Sequence, residues 1–201
     1  MHSELSKSAA LLVIDVQEGM DDPRRSSRNN PDAEANIARL LETWRATGRR
    51  CIHVRHDSLN PDSEFAPGTP GNAIKQIVAP LPDEWLIVKH VNSAFIGTDL
   101  EARLHDAGIS TLVIVGLVAN YCVESTARMS GNLGFDTWVV GDATAAYDRP
   151  GPDGTIHRAA DIHAMTLMNL HDEYATITTT EETIAAVASA AATRELTPAG
   201  P

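Results

Sequence analysis

The sequence has few of the residues that mark secreted scaffolds and no run typical of membrane proteins. It holds 2 cysteines among 201 residues, too few for the disulfide frameworks of small extracellular domains. We therefore expect Cys51 and Cys122 to be reduced thiols in the cytoplasm. No apolar run approaches the roughly 18 residues of a membrane span. The run from Ala9 to Ile14 is broken by Asp15, so it predicts a strand and not a signal peptide.

Positive charge is also scarce. The chain has 16 Lys and Arg against 27 Asp and Glu, a formal net charge of −11, and its basic pairs are Arg24-Arg25 and Arg49-Arg50. Such a chain repels nucleic acid and anionic membranes, so we expect neither partner. The acidic balance instead hints at a cationic substrate. No G-x-G-x-x-G motif follows the first predicted strand, which disfavours a dinucleotide-binding enzyme.

The chain does contain an alternation of short apolar runs with amphipathic segments. This pattern predicts an α/β domain whose parallel sheet is covered by helices on both faces. We expect one domain over residues 1–193 and a flexible tail over 194–201, with long loops at 57–71 and 142–154. The predicted strands are Ala10–Val16, Cys51–Arg55, Trp85–Lys89, Thr111–Gly116, Thr137–Val140 and Tyr174–Ile177.

Helices are predicted between these strands. In the segment 32–47, apolar residues recur at i, i+3, i+4 and i+7, with Asp32 placed as an N-cap. Thr98 is placed as the cap of a second helix that ends before Gly108. The remaining predicted helices are 121–133, 157–170 and 180–192.

Three chemically distinct side chains lie at predicted strand ends. Asp15 lies at the end of the first strand, Lys89 closes the third, and Cys122 lies where the fourth turns into a helix. Ligands of open parallel sheets bind beyond the carboxyl ends of the strands. Each residue alone also has an ordinary structural role, as a cap, a solvated amine or a small buried apolar group. Their coincidence at one edge favours a catalytic site.

Three segments carry a family resemblance. LLVIDVQEGM (11–20), IVKHVNSAF (87–95) and GLVANYCVESTAR (116–128) together resemble the isochorismatase-like cysteine hydrolases, which include nicotinamidases and other small-amide hydrolases. The resemblance extends from Leu11 to Ile177. It implies a three-layer Rossmann-like sandwich with a six-stranded, mostly parallel sheet, and a homo-dimer or homo-tetramer.

The resemblance implies a catalytic triad of Asp15, Lys89 and Cys122. A helix N-terminus and the Lys89 ammonium are expected to lower the pKa of the Cys122 thiol, and Asp15 is placed to accept its proton. We predict a cysteine amidohydrolase that cleaves a non-peptide C–N bond of a small molecule through a thioester. The alternatives are a vinyl-ether hydrolase of the isochorismatase type, which the resemblance says lacks the cysteine, and a non-catalytic thiol protein.

The turn that ends in Cys122 is expected to supply the oxyanion hole. The resemblance implies a cis peptide bond between Leu117 and Val118, with the N–H groups of Val118 and Cys122 as the donors. Many relatives carry Thr at position 119, where this chain has Ala119. What replaces that hydroxyl is left open.

No metal or other cofactor is predicted. Zinc-binding nicotinamidases of the family carry an Asp-x-His pair after the second strand, whereas this chain has Leu59 in the histidine position. His53 is predicted to be a core histidine. The predicted partner is a small-molecule amide, and the residues expected to bind it are Gln17, His56, Asn92, Phe95 and Tyr121.

Overall fold

The computed structural model of the chain describes residues 5–192, with no side chains given for 191–192. A six-stranded parallel sheet runs through it in the order β3-β2-β1-β4-β5-β8. The predicted α/β sandwich with a six-stranded sheet is confirmed. The predicted tail 194–201 lies outside the described residues. The strands are β1 (Ala10–Ile14), β2 (Cys51–His56), β3 (Trp85–Lys89), β4 (Thr111–Leu117), β5 (Asp136–Ala145), β6 (Arg149–Pro150), β7 (Ile156–His157) and β8 (Thr176–Thr178).

Five α-helices cover both faces of the sheet and bury two apolar cores. Alternate residues of β1 face opposite cores, with Leu11 in one and Leu12 in the other, as the two-residue period of a strand requires. Helices α1 and α5 pack on one side and α2 and α3 on the other. None of the helices within residues 5–192 is long and apolar enough to span a membrane. The helices are α1 (Ala33–Ala46), α2 (Leu100–Asp106), α3 (Glu124–Asn132), α4 (Ala159–Leu170) and α5 (Thr180–Ala192).

Three boundaries differ from the sequence prediction. The helix expected from residue 121 begins instead as a single π-helical turn over Ala119–Val123, before α3. Asp99, not Thr98, precedes α2. The predicted loop 142–154 was wrong in part, because β5 continues to Ala145 and a short antiparallel hairpin of β6 and β7 follows. The β5 extension pairs with the end of β4 after a register shift, which strand propensity does not reveal.

A glycine lets β4 approach β1 at the edge where the candidate site lies. Gly116 pairs with Ile14 and has a φ of +126°, a conformation that favours glycine. A Cβ added there would lie 2.1 Å from the Ile14 carbonyl oxygen. Only glycine therefore brings the turn after β4 beside the end of β1.

Candidate active site

The carboxyl edge of the sheet brings the three predicted catalytic residues together. Asp15 directly follows β1 and has a φ of +50°, a left-handed conformation that Asp adopts more readily than most residues. Lys89 is the last residue of β3 and pairs in register with His56 at the end of β2. Cys122 lies in the π-helical turn after β4. Neighbouring parallel strands thus end at the same side of the sheet with these side chains adjacent.

Asp15 and Lys89 form an ion pair in the protein interior. The Lys89 Nζ donates to Asp15 Oδ2 at 2.6 Å, and the two side chains are 0% and 1% exposed. Lys89 Nζ also lies 3.3 Å from His56 Nδ1. Because an ammonium only donates, Nδ1 accepts and the neutral ring carries its proton on Nε2. Burial, and next the Lys89 charge, lower the pKa of His56, which favours this neutral form.

The second oxygen of the Asp15 carboxyl group is unsatisfied. Asp15 Oδ1 is buried and has no hydrogen-bond partner in the part of the chain that the structure describes. The Cys122 thiol interacts with the same carboxyl group and tends to lower its pKa. Burial is the larger influence and raises the pKa of Asp15 above its usual range. A buried carboxylate with a free oxygen and a raised pKa has the properties of a general base.

The expected lowering of the Cys122 pKa was wrong. Burial raises the pKa of the thiol to about 12, and the negative charge of Asp15 adds to this effect. The Lys89 ammonium acts in the expected direction and lowers the pKa, but desolvation and Asp15 outweigh it. The thiol is therefore protonated at neutral pH in the free protein, and it needs a base to become a nucleophile.

The turn between β4 and α3 places the predicted oxyanion-hole residues beside the thiol. The peptide bond between Leu117 and Val118 is cis, as the resemblance implied. Val118 and Cys122 both line one cavity, and the Val118 carbonyl accepts hydrogen bonds from the N–H groups of Tyr121 and Val123. Ala119 is buried in this turn.

A cavity of about 340 Å³ lies over these groups. Three of the five predicted substrate-binding residues line it: His56, Asn92 and Tyr121. The cavity is lined by Asp15, Met20, Arg25, His56, Phe65, Asn92, Val118, Tyr121 and Cys122.

The other two predicted substrate-binding residues do not line this cavity. Gln17 is fully buried, and its amide bonds the backbone of His56 at both N–H and C=O and the carbonyl of Asn72. Phe95 packs in the core against Phe135, with ring centroids 5.8 Å apart. Gln17 therefore braces the end of β2, and Phe95 is a core residue. Both residues lie in the motifs that carry the family resemblance, but membership of a motif did not reveal whether their side chains face the cavity or the core.

Sequence reasoning missed three lining residues. Met20 and Arg25 follow β1, and Phe65 lies in the loop 57–71. The Phe65 ring stands edge-on to His56 with centroids 6.2 Å apart. Arg25 appeared in the sequence as one of a basic pair, and no sequence signal separates it from Arg24.

Residues 5–192 contain no group of three or more His, Cys, Asp or Glu side chains placed to hold a metal ion. Leu59, which stands in the position of the family's zinc-ligating histidine, is 78% exposed. The sequence prediction that the protein needs no cofactor stays a prediction.

Comparisons of the chain with protein-family models, with other proteins and with solved structures identify the class of protein to which this fold and site belong. Residues 9–182 match the model of the isochorismatase domain, and the chain belongs to the isochorismatase family of hydrolases. It is 48% identical to the isochorismatase-family protein YrdC of Bacillus subtilis, over 90% of this chain and 96% of that one. It is 34% identical to a streptothricin hydrolase of Streptomyces noursei, over 72% of this chain and 57% of that one. A crystal structure of an isochorismatase-family chain from Chromobacterium violaceum superimposes with a TM-score of 0.90 at 43% identity, covering 94% of this chain and 100% of that one.

Proposed function

We propose that the protein is a cysteine amidohydrolase that cleaves a non-peptide C–N bond of a small molecule. The observation that carries the proposal is the unsatisfied Oδ1 of Asp15 in the same cavity as the Cys122 thiol. A base with a free oxygen and a protonated thiol beside it form the pair that thiol activation needs. The streptothricin hydrolase among its relatives supports a hydrolytic role.

In the proposed first step, the Cys122 proton passes to Asp15 as the sulfur attacks the amide carbonyl carbon. The N–H groups of Val118 and Cys122 stabilise the resulting oxyanion. The C–N bond then breaks, and the protonated Asp15 returns its proton to the leaving nitrogen. Ammonia or an amine leaves, and the acyl group remains on sulfur as a thioester.

In the second step, Asp15 takes a proton from water as the water oxygen attacks the thioester. The C–S bond breaks, the carboxylic acid leaves, and the proton returns to the Cys122 sulfur. Lys89 lowers the pKa of Asp15 against the larger effect of burial, and it orients the carboxyl group through the 2.6 Å hydrogen bond. A raised Asp15 pKa suits both directions of transfer, because a catalytic acid-base group works best when its pKa is nearer the working pH.

The cavity volume of about 340 Å³ suits a small-molecule amide. We assign its recognition to His56, Asn92 and Tyr121, which line the cavity around the thiol. The neutral His56 ring offers its Nε2–H as a donor to a substrate oxygen.

The test is the release of ammonia or amine from small primary amides and ureido compounds. We expect turnover by the wild type and by Cys51→Ala, and a loss of about 10,000-fold or more in Cys122→Ala. Cys51 is the matched control, because it is the other free cysteine, its pKa is also raised to about 12 by burial, and it does not line the active cavity. Equal turnover by Cys122→Ala and the wild type would contradict the proposal, as would hydrolysis of a vinyl ether alone.

Two further sequence expectations remain proposals. We propose a homo-dimer or homo-tetramer, tested by light scattering on a sizing column, where a monomer across the micromolar range would refute it. We also propose a cytoplasmic location, in keeping with two free cysteines. Recovery of the protein from the medium, not from the cell lysate, would refute this.

A further inference from the structure

Arg25 lies at the junction of two cavities. The active cavity adjoins a second one of about 160 Å³, and Arg25, Val118 and Tyr121 line both. The two cavities meet at these three residues and are together called the cleft, with Cys122 lining its first part and Arg149 its second. The residues that line only the second part are Ser26, Asn120, Tyr147, Asp148 and Arg149.

Hydrogen bonds and aromatic rings fix the guanidinium of Arg25, and one of its three nitrogens, Nη1, is not used in these contacts. Its Nε donates to the Gly19 carbonyl at 2.9 Å and its Nη2 to Glu64 at 2.6 Å. The Phe65 and Tyr147 rings lie 5.3 and 5.4 Å from its central carbon. Nη1 makes no hydrogen bond to the residues that the structure describes. Glu64 holds the guanidinium from outside the cleft, since it lines neither cavity.

Arg149 adds a second positive charge in the second part of the cleft. Its guanidinium lies 5.2 Å from the Tyr121 ring, and it forms no ion pair within residues 5–192. The nearby Asp148 is already engaged, because it accepts from Arg158 at 2.9 Å and from the Ala159 N–H at 2.7 Å.

Two acidic and two basic residues line the cleft, and three of these four charges have an ion-pair partner outside it. Asp15 is compensated by Lys89, Asp148 by Arg158 and Arg25 by Glu64, which leaves the charge of Arg149 without a partner among the described residues. This unpaired positive charge is notable in a chain with a net charge of −11. A fixed guanidinium with a free N–H and an unpaired cation that line the same cavity favour an anionic group, and arginine matches carboxylate geometry well.

We propose that the substrate is a small amide that also bears a carboxylate. Its amide lies at Cys122 and its carboxylate lies between Arg25 and Arg149. This inference rests on the proposed amidohydrolase function. It also opposes the cationic substrate that the acidic composition hinted at, because the local charge of the cleft, not the net charge of the chain, contacts the ligand.

The experiment compares acidic amides with neutral analogues of the same length. Succinamic and glutaramic acids are the acidic probes, and their methyl esters are the neutral ones. Turnover is measured with the wild-type protein. Binding is measured by calorimetry on Cys122→Ala, where no turnover is needed. We expect the acids to be preferred by about ten- to hundredfold in both measurements, the range of a charge-assisted hydrogen bond.

Three variants locate the preference. We expect Arg25→Gln and Arg149→Gln each to reduce the acid-over-ester ratio of kcat/KM by about tenfold or more. Arg24→Gln is the matched control, because Arg24 adjoins Arg25 in sequence, pairs with Asp22 and lines neither cavity. It should keep the wild-type ratio. If Arg25→Gln fails to fold, as judged by circular dichroism, Arg25→Lys and Arg149→Gln carry the test.

The outcomes separate the two proposals. Acid-selective binding without any turnover supports the carboxylate site and contradicts the amidohydrolase function. Turnover without a preference for the acids supports the amidohydrolase function and contradicts the carboxylate site. No acid-selective binding, or equal losses on acids and esters in both arginine variants, would overturn the carboxylate site.

Discussion

The two ends of β3 each bury a carboxylate, and the two carboxylates behave in opposite ways. At the amino end, Glu84 accepts two hydrogen bonds from Arg45, at 2.8 and 2.9 Å, and one from the Leu81 N–H at 2.8 Å. It also pairs with His53 at 2.9 Å. Burial alone would raise the pKa of Glu84, but these partners outweigh it and lower the pKa to about 2.

At the carboxyl end, Asp15 has Lys89 as its one ion-pair partner among the described residues, and an oxygen without a hydrogen bond. Burial therefore dominates and raises its pKa. The comparison teaches that the number of donors, not burial alone, separates a carboxylate that stabilises the fold from one that can exchange a proton. Substitutions at the two ends test this difference.

The largest effect is expected from Asp15→Asn against Glu84→Gln. Asp15→Asn removes the base and should reduce kcat by about 100- to 10,000-fold. Glu84→Gln should leave kcat within about twofold and lower the free energy of unfolding by about 1–3 kcal/mol, since it strips charge-assisted hydrogen bonds from Arg45. Kinetics and urea unfolding measure both. Comparable losses of kcat in the two variants would contradict the assignment of proton transfer to Asp15 and of a stabilising role to Glu84.

The pH dependence of stability follows from the lowered pKa of Glu84. Because this pKa falls from the usual 4.5 to about 2 in the folded protein, the stabilisation is complete above about pH 4.5 and is lost as the pH falls toward 2. In Glu84→Gln, the free energy of unfolding should therefore change less between pH 4.5 and 2 than it does in the wild type. A curve identical to that of the wild type between pH 4.5 and 2 would refute this.

An intermediate effect is expected on the reactivity of the Cys122 thiol. The Lys89 ammonium lowers the pKa of Cys122, so Lys89→Ala should raise this pKa further. Alkylation of Cys122 by iodoacetamide should then slow by about tenfold at a given pH, because only the thiolate reacts. A Cys51→Ala background leaves Cys122 as the reporter, and the measurement is the alkylation rate as a function of pH.

Lys75→Ala is the control for this measurement, because Lys75 is also a buried, paired lysine but contacts Asp21 and Glu34. It should not change the pH profile. Lys89→Met serves if the alanine variant does not fold. An unchanged profile in both Lys89 variants would contradict the assigned influence of the ammonium.

The smallest effects separate the two histidines of β2. His56 lines the cavity beside Lys89, whereas His53 pairs with Glu84 at the other edge. His56→Gln should lower kcat/KM by about tenfold with little change in melting temperature. His53→Leu should cost about 1 kcal/mol of stability and leave kcat/KM unchanged. A loss of stability in His56→Gln together with a loss of kcat/KM in His53→Leu would contradict the assignment of the active site to the carboxyl edge of the sheet.

Much of the fold was predictable from local pattern. The apolar runs placed the strands β1 to β4 to within about two residues, because a parallel strand buried on both faces leaves an uninterrupted apolar run. The same pattern placed Asp15, Lys89 and Cys122 at strand ends. The continuation of β5 through Ala145 was not predictable, because it depends on a register shift against β4.

The sequence by itself determined the order of strands and helices, and therefore which side chains reach the carboxyl edge of the sheet. The tertiary structure alone decided what each side chain faces there. Gln17 turned inward to the backbone of His56, Arg25 reached the cavity, and burial reversed the expected change in the Cys122 pKa. The physical reason is that chain pattern sets position along an element, whereas desolvation and pairing depend on neighbours distant in sequence.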